Sequence, residues 1–201
     1  MKILGISGSP RKEGTTVAML DEALKAAKDD GAEVELYSVA GKNIQGCIAC
    51  RSCVEMGMCS QQDDMQELYV KMLEADGIIF GTPVYFWGMT AQAKAVMDRT
   101  FSLNFSKKGL DSKVAGVVTC AGSLGLASTL KDYSYYIIQK RMLSAFQVSC
   151  YAMGPEDLKT MENCLQALSD LGRQMVALVK LGFKYPAEFV RGPGAFGTYN
   201  R

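Results

Sequence analysis

The apolar residues of the chain follow two alternating patterns, short runs of strand type and longer stretches with a helical period. The short runs predict five β-strands, at residues 2–7, 33–39, 77–82, 113–120 and 147–153. Two of these runs, GIIFGT and KVAGVVTC, are almost continuously apolar, which is typical of strands buried on both faces of a sheet.

Helical periodicity fills the gaps between these strands. In residues 17–31 the apolar positions recur on one helical face, and Gly31 is a natural C-terminal stop. Asp64 and Glu67 resemble a capping box that opens the next helix. The remaining helices are predicted at residues 65–77, 90–103, 127–145 and 155–182.

This alternation of strands and helices predicts an α/β fold, a parallel sheet with helices on both faces. The length of 201 residues and the absence of an internal repeat favour one domain. We expect this domain to cover residues 1–184, with an inserted cysteine loop at residues 44–62. Residues 185–201, rich in aromatics, Gly and Pro, are expected to form a C-terminal arm that packs on a neighbouring subunit.

Composition and charge narrow the classes of function. The chain is 48% hydrophobic and 21% charged, as in soluble globular proteins, and its net charge of +1 gives no bulk attraction for nucleic acid or an anionic membrane. No apolar run reaches 18 residues, so we expect no membrane span. The N-terminus lacks the features of a signal peptide, which predicts a cytoplasmic protein with reduced thiols.

The loop after the first strand, residues 7–16, has a composition suited to phosphate. It leads into the N-terminus of a helix, where free backbone N–H groups and the helix dipole attract anions. It matches neither a Walker loop nor G-x-G-x-x-G, and an ordinary capped turn is the alternative interpretation. The candidate phosphate ligands are Ser9, Arg11, Gly14, Thr15 and Thr16.

Two further loops follow the third and fourth strands. Residues 82–90 carry three consecutive aromatics, which suit a flat ligand, a subunit contact or a plug of the core. Residues 120–128 contain Gly122 and Gly125, which permit close approach of the backbone. One phosphate loop and two loops for a planar ring, at the carboxyl edge of a five-stranded sheet, predict an FMN site.

Four of the seven cysteines lie within residues 47–59, spaced C-x2-C-x2-C-x5-C. Three close thiolates and a fourth nearby suit a [4Fe–4S] cluster, whereas zinc sites usually have a longer spacer. Zinc and free or redox-active thiols remain alternatives. Cys120, Cys150 and Cys164 are expected to be small buried hydrophobes.

Several motifs occur in the order found in a known family. GSPRKEGTT, the cysteine cluster followed by DDM, and TPVYFWGMTAQAKAVMDR resemble the flavodoxin-like NAD(P)H-dependent FMN reductases, in particular the iron–sulfur flavoproteins. The resemblance covers about residues 1–155. It implies a flavodoxin-like, doubly wound sheet of five parallel strands in the order 2-1-3-4-5.

The resemblance also implies a role for each site residue. Ser9, Arg11, Gly14, Thr15 and Thr16 would hold the FMN phosphate. The ribityl chain and ring would lie along Pro83, Val84, Tyr85, Phe86 and Trp87. The composition of the third loop, independently of the resemblance, adds Gly122 to the cofactor-binding candidates. The ligands of a [4Fe–4S] cluster would be Cys47, Cys50, Cys53 and Cys59.

The chain contains no histidine, so the commonest acid–base residue is unavailable and the chemistry is expected on FMN rather than on a side chain. We expect electron transfer between the cluster and FMN, with a ferredoxin-like protein or NAD(P)H as redox partner. By resemblance, a homodimer or homotetramer would bring each cysteine loop to a neighbouring subunit's flavin. A cluster-free NAD(P)H-dependent FMN or quinone reductase is the alternative enzyme, and a flavin or metal carrier the non-catalytic one.

Overall fold

The computed structural model describes residues 1–190. Its six strands are β1 Lys2–Ser7, β2 Glu33–Ser38, β3 Gly77–Tyr85, β4 Gly88–Met89, β5 Val114–Ala121 and β6 Leu143–Tyr151. Its α-helices are α1 Thr15–Asp29, α2 Ser52–Met56, α3 Met65–Glu74, α4 Ala91–Arg99, α5 Leu126–Gln139, α6 Pro155–Leu158, α7 Glu162–Lys180 and α8 Ala187–Val190. A 3₁₀-helix, Thr100–Asn104, continues α4.

Five of the strands form a parallel sheet in the order β2-β1-β3-β5-β6. The predicted flavodoxin-like fold and strand order are therefore confirmed. The sixth strand, β4, was not predicted, because two residues are too few to show a period; it pairs antiparallel with the end of β3. The strand order reverses between β1 and β3, and ligands of such sheets bind at the carboxyl ends of the strands around this point.

Helices cover both faces of the sheet and divide the core into two layers. On one face α1 and α7 pack against the strands through residues such as Leu20 and Leu171. On the other face α3, α4 and α5 contribute residues such as Leu68 and Tyr133. Because both faces are covered, every residue of β5 is buried, as its continuous apolar run predicts.

Three predicted helices have different bounds in the structure. The helix predicted at 127–145 ends at Gln139, because the Leu143 N–H donates to the Lys113 carbonyl and starts strand β6. The helix predicted at 155–182 is interrupted at Met161, whose φ of −98° and ψ of 71° are not helical. The helix predicted at 90–103 is α-helical only to Arg99. Local apolar periodicity does not register these interruptions, which depend on pairing and backbone geometry.

The predicted capping box at Asp64 is wrong. The Asp64 side chain makes no cap on α3 and instead accepts the Asn43 N–H at 2.6 Å. Glu67 forms ion pairs with Lys42 and Lys71. Both carboxylates thus have partners that the local sequence pattern does not specify.

Within residues 1–190, every helix is too short or too polar to span a membrane. After α7, the Tyr185 N–H donates to Ser112 Oγ at 3.0 Å, which ties the start of the predicted arm to the domain. Residues 191–201 of that arm lie outside the described residues, and its packing on a neighbour stays a prediction.

Candidate functional site

The N-terminus of α1 lies at the carboxyl end of β1 and offers unpartnered backbone donors. Gly14 is the N-cap residue and provides no side-chain cap. The first N–H groups of a helix lack intrahelical acceptors, so the first turn of α1 can donate to a ligand. Together with the helix dipole, these donors suit a phosphate group.

Most side chains of the loop at residues 7–16 contact other parts of the protein and stabilise the loop's conformation. Ser9 is buried, and its Oγ accepts the Arg11 N–H at 3.1 Å. Thr15 and Thr16 are buried as well, and Thr16 Oγ1 lies 3.4 Å from Cys120 Sγ on the neighbouring part of the sheet. Arg11 is exposed. The backbone is therefore the better-placed phosphate donor, and the ligand roles of these side chains stay predictions.

Thr90 joins the phosphate loop to α4, and sequence reasoning missed it. Its Oγ1 donates to the Gly8 carbonyl at 2.6 Å and accepts the Ala93 N–H at 3.0 Å, which caps α4. A Cβ on Gly8 would lie only 2.6 Å from Ala93 Cβ, so the loop and the helix touch where Gly8 has no side chain. The preference for threonine at helix N-caps is the sequence signal that points to Thr90.

The predicted aromatic loop is a β-hairpin whose turn is strained. Phe86 and Trp87 have φ values of 48° and 65°, in the left-handed region that bulky residues rarely occupy. Phe86 is 93% exposed, and Tyr85 and Trp87 are about half-exposed. Such strain and exposed apolar area are costly in a loop without a function, and they are common at ligand sites.

The third loop packs against this hairpin. Gly125 has a φ of +96°, and a Cβ there would lie 2.6 Å from Trp87 Cα. Ser128 Oγ donates to the Trp87 carbonyl. Gly122, three residues before Gly125, faces Met153, whose Sδ would lie 2.9 Å from an added Cβ. The structure thus brings all three predicted loops to one edge of the sheet.

The four clustered cysteines line a second feature, a cavity of about 370 Å³ that also has Arg99 in its wall. Cys47 and Cys50 are exposed, Cys59 is half-buried and Cys53 is buried in α2. Positive φ angles at the residues before Cys50 and after it, 54° and 62°, bend the backbone around this cavity.

The thiols of this loop differ in their electrostatic surroundings. Hydrogen bonds from Ser52, together with one involving Ser60, lower the pKa of Cys50 to about 7. Burial, and the neighbouring thiols after it, raise the pKa of Cys53. The loop therefore presents one thiol with a lowered pKa, Cys50, and one with a raised pKa, Cys53.

Four clustered thiols can in general bind either a single metal ion or an iron–sulfur cluster. Within residues 1–190 no three or more His, Cys, Asp or Glu side chains are grouped so as to hold a single metal ion. A tetrahedral zinc site needs its sulfurs within roughly 4 Å of one another, from Zn–S bonds of about 2.3 Å. An iron–sulfur cluster is larger than one ion and takes only thiolate ligands here. The four thiols thus line one cavity without forming a single-ion site among the described residues.

A buried ion pair closes the cysteine loop, and sequence reasoning missed it too. The side chains of Arg99 and Asp63 are 0% and 3% exposed, and their two hydrogen bonds measure 2.6 and 3.0 Å. Arg99 also donates to the carbonyls of Gln45 at 2.9 Å and Gln61 at 3.4 Å, one on each side of the loop. A charged residue at helical spacing from Val96, on the buried face of α4, is the sequence signal that points to it.

The pKa values of this pair follow from its contacts. Burial raises the pKa of Asp63, but hydrogen bonds from Arg99, Gln45 and Met65 outweigh it, so the pKa lies below the ordinary 3.8. Burial lowers the pKa of Arg99, but Asp63 and nearby groups keep it above its ordinary value. Both residues are therefore charged at neutral pH.

Helix α4 connects the two features within one chain. Its N-cap residue Thr90 contacts the phosphate loop, and its last residue Arg99 lies in the wall of the cysteine cavity. Nine steps of helix at 1.5 Å each separate them by roughly 13 Å. The cysteine cavity thus lies at a defined, moderate distance from the carboxyl edge of the sheet.

Comparisons with known proteins agree with this arrangement. The model of the family described as NADPH-dependent FMN reductase matches residues 1–145. An iron–sulfur flavoprotein of Methanocaldococcus jannaschii is 37% identical over 191 residues, 90% of this chain and 98% of the relative. An iron–sulfur flavoprotein of Archaeoglobus fulgidus is 35% identical over 79% of this chain and 74% of the relative.

Among solved structures, a flavodoxin from the domain Archaea superposes with a TM-score of 0.59, covering 90% of this chain and 99% of its own. At 14% identity this likeness concerns the fold alone. The family match and the relatives carry the assignment further. The chain belongs to the NADPH-dependent FMN reductase family and, within it, to the iron–sulfur flavoproteins, and it is a flavin-dependent oxidoreductase.

Proposed function

We propose that this protein carries electrons between FMN, at the carboxyl edge of the sheet, and a [4Fe–4S] cluster held by four cysteines. The ligands of the cluster are Cys47, Cys50, Cys53 and Cys59. The observation that carries the proposal is that these four thiols line one cavity. The wall of this cavity includes Arg99, the last residue of α4, and the N-cap residue of the same helix contacts the phosphate loop. The names of the relatives support the same pair of cofactors.

At the flavin edge the chain binds and orients rather than reacts. The first turn of α1, with Gly14 to Thr16, holds the phosphate through backbone N–H groups. Pro83 and Val84 lie along the ribityl chain, and the aromatic hairpin tip with Gly122 flanks the ring. FMN, when bound, exchanges hydride or single electrons, so no catalytic side chain is required.

Exposed apolar side chains surround both features and suggest how they are covered. Near the cysteine loop these are Ile48, Val54, Met56, Met58 and Phe101. Near the hairpin they are Phe86, Trp87, Leu124, Tyr151 and Met153. Patches of this kind mark interaction sites. We propose a homodimer or homotetramer that covers part of them, with a ferredoxin-like protein or NAD(P)H as the external redox partner.

A second candidate is a cluster-free NAD(P)H-dependent FMN or quinone reductase. The observation in its favour is the exposure of the aromatic hairpin tip, where a small substrate can reach a flavin ring. In that case the cysteine loop only supports the fold. The two candidates predict different metal contents and different numbers of electrons per chain.

Protein purified and reconstituted without oxygen discriminates between them. We expect about one FMN and about four irons per chain, with about three electron equivalents taken up in a reductive titration, two by FMN and one by the cluster. Cys59→Ser is expected to lose the iron and take up about two equivalents. Cys164→Ser, a thiol outside the cavity, serves as the matched control and keeps all the iron.

Wild-type protein that binds FMN but no iron under these conditions would reject the electron-transfer proposal. Bleaching of that flavin by NADH or NADPH would then establish the reductase. Bound FMN without reduction by either nucleotide, and without iron, would leave a carrier of flavin.

A further inference from the structure

We infer that Arg99 is a positioning residue for the proposed cluster, because it closes the cysteine loop and directs its remaining N–H group toward the thiolates, where it raises the reduction potential. This inference rests on the proposed function, since it concerns the cluster that the four cysteines would hold. It assigns a role to a residue outside the C-x2-C-x2-C-x5-C pattern.

The first step is the closure of the loop. Gln45 precedes Cys47 and Gln61 follows Cys59, and their carbonyls accept hydrogen bonds from the same guanidinium. Asp63 adds a second link, because its Oδ2 accepts the Gln45 N–H at 3.0 Å as well as the bond from Arg99. The buried pair thus links both ends of the loop, in addition to the exposed bond from Gln61 to the Gly46 carbonyl.

The second step is the hydrogen-bond inventory of the guanidinium. Its two terminal nitrogens donate to Asp63 and the loop carbonyls. Its Nε is buried and has no acceptor among the described residues. A buried donor without a partner is rare, and an unfilled bond of this kind indicates a group that completes the site. Arg99 forms part of the cavity wall, which makes a sulfur in the cavity the candidate acceptor for this N–H.

The third step is the charge of this wall. Asp63 is not part of the cavity lining, whereas Arg99 is, so the positive partner of the pair faces the thiols. Arg51 and Asp98 also line the cavity, and Asp98 forms an ion pair with Lys94. Cys59 contributes, after Asp63 and Tyr69, to keeping the pKa of Arg99 high, which places that thiol within electrostatic reach of the guanidinium. The Tyr69 hydroxyl is already used, since it donates to the Arg99 carbonyl at 2.8 Å.

The fourth step is the effect on the cluster. Reduction adds one electron and therefore one negative charge, and hydrogen bonds and net charge around the sulfurs set the potential. A buried N–H with a positive charge stabilises the reduced form more than the oxidised form. The potential is consequently higher with Arg99 than with a side chain that lacks this donor.

The test uses the anaerobically reconstituted holoprotein. Arg99→Lys keeps the charge but loses the Nε–H, and the double variant Asp63→Asn with Arg99→Met removes the pair without leaving a lone buried charge. Lys25→Met removes an exposed charge from α1, which packs on the opposite face of the sheet from α4, and is the matched control. Iron content is measured first, and the potentials of cluster and flavin are then titrated separately by electron paramagnetic resonance and absorption.

We expect Arg99→Lys and the double variant to bind iron and to shift the cluster equilibrium about tenfold toward the oxidised form. For a one-electron couple this shift corresponds to about 59 mV. The FMN potential is expected to stay at the wild-type value in every variant, and Lys25→Met is expected to change neither potential. A purely structural role of Arg99 would not move the cluster potential selectively.

The inference is overturned if both variants have full iron content and the redox equilibrium of their cluster stays within threefold of the wild-type equilibrium. If neither variant retains iron, hydrogen exchange of residues 45–61 in the metal-free proteins decides. Faster exchange than in metal-free wild type supports the positioning role, and unchanged exchange refutes it. Wild-type protein without iron is a different outcome, because there the proposed function itself has failed.

Discussion

The proposed flavin edge, formed by the loops at residues 7–16, 82–90 and 120–128, and the cysteine loop are stabilised in different ways. The loops of the flavin edge leave β1, β3 and β5, the central strands of the sheet, and they contact one another through Thr90, Gly8 and Gly125. The cysteine loop follows β2, an edge strand, and its ends are joined by the buried pair Arg99–Asp63 and by exposed hydrogen bonds such as that between Asn43 and Asp64. The first region takes its geometry from the sheet, whereas the second depends on polar contacts, of which the Arg99–Asp63 pair is the buried one.

The largest test of this difference removes one member of the pair. Asp63→Ala leaves the Arg99 charge buried and unpaired, and we expect a loss of about 3–5 kcal/mol in the free energy of unfolding. Urea unfolding followed by circular dichroism measures it. Combining Asp63→Asn with Arg99→Met should cost much less, because no charge stays unpaired. A loss below about 1 kcal/mol for Asp63→Ala would show that the pair does not hold the loop.

Acid provides a second measurement of the same contact. Because the folded-state pKa of Asp63 lies below the ordinary 3.8, its contribution to stability is fully present above that pH and is lost as the pH falls through the lower folded-state value. The stability difference between wild type and Asp63→Ala should therefore be constant from pH 7 to 5 and should narrow below pH 3.8. A difference that already narrows near pH 6 would point to another group.

At the flavin edge the largest expected effect comes from Gly8→Ala. The added methyl group would overlap Ala93, and overpacking of this kind costs about 1–3 kcal/mol. Because the phosphate loop must move away from α4, FMN affinity should fall at least about tenfold, as measured by quenching of flavin fluorescence. Gly46→Ala is the control, since nothing lies within 4 Å of its added Cβ. Equal FMN affinities in the two variants would contradict the close packing of loop and helix.

Thr90→Val is expected to have a smaller effect. It removes the bond to the Gly8 carbonyl and the cap on the Ala93 N–H, which together are worth about 1–2 kcal/mol. Thermal unfolding with and without FMN measures the loss, and Thr90→Ser, which keeps the hydroxyl, should restore most of it. If serine behaves like valine, the methyl packing of Thr90 rather than its hydrogen bonds connects the loops.

The smallest effect is expected for the exposed ion pair on the same helix as Arg99. Lys94 and Asp98 are 53% and 43% exposed, so Lys94→Ala should change the free energy of unfolding by about 0.5 kcal/mol or less. The measurement is the same urea titration, repeated in high salt. A loss comparable to that of Asp63→Ala would mean that burial is not what distinguishes the two pairs.

The same contrast explains what the sequence could predict. Strand runs and their loops follow from local apolar period, so the clustering of residues 7–16, 82–90 and 120–128 at one edge could be predicted from the residues. The strand order was implied by the resemblance to the flavodoxin-like family. Arg99 and Asp63 are 36 positions apart, and their pairing depends on how α4 and the cysteine loop meet in space. The hairpin strand β4 and the interruption of the last helix at Met161 were not predicted, because they span only one or two residues and leave no periodic pattern.

Helix α4 sets the spacing between the phosphate loop and the cysteine cavity. Each added residue of an α-helix turns the chain by about 100° and lengthens it by about 1.5 Å. One extra alanine in the middle of Ala91–Arg99 would leave Thr90 on the phosphate loop but swing the guanidinium away from the cysteines. The length of this short helix, and not only its composition, is therefore part of what the sequence must preserve.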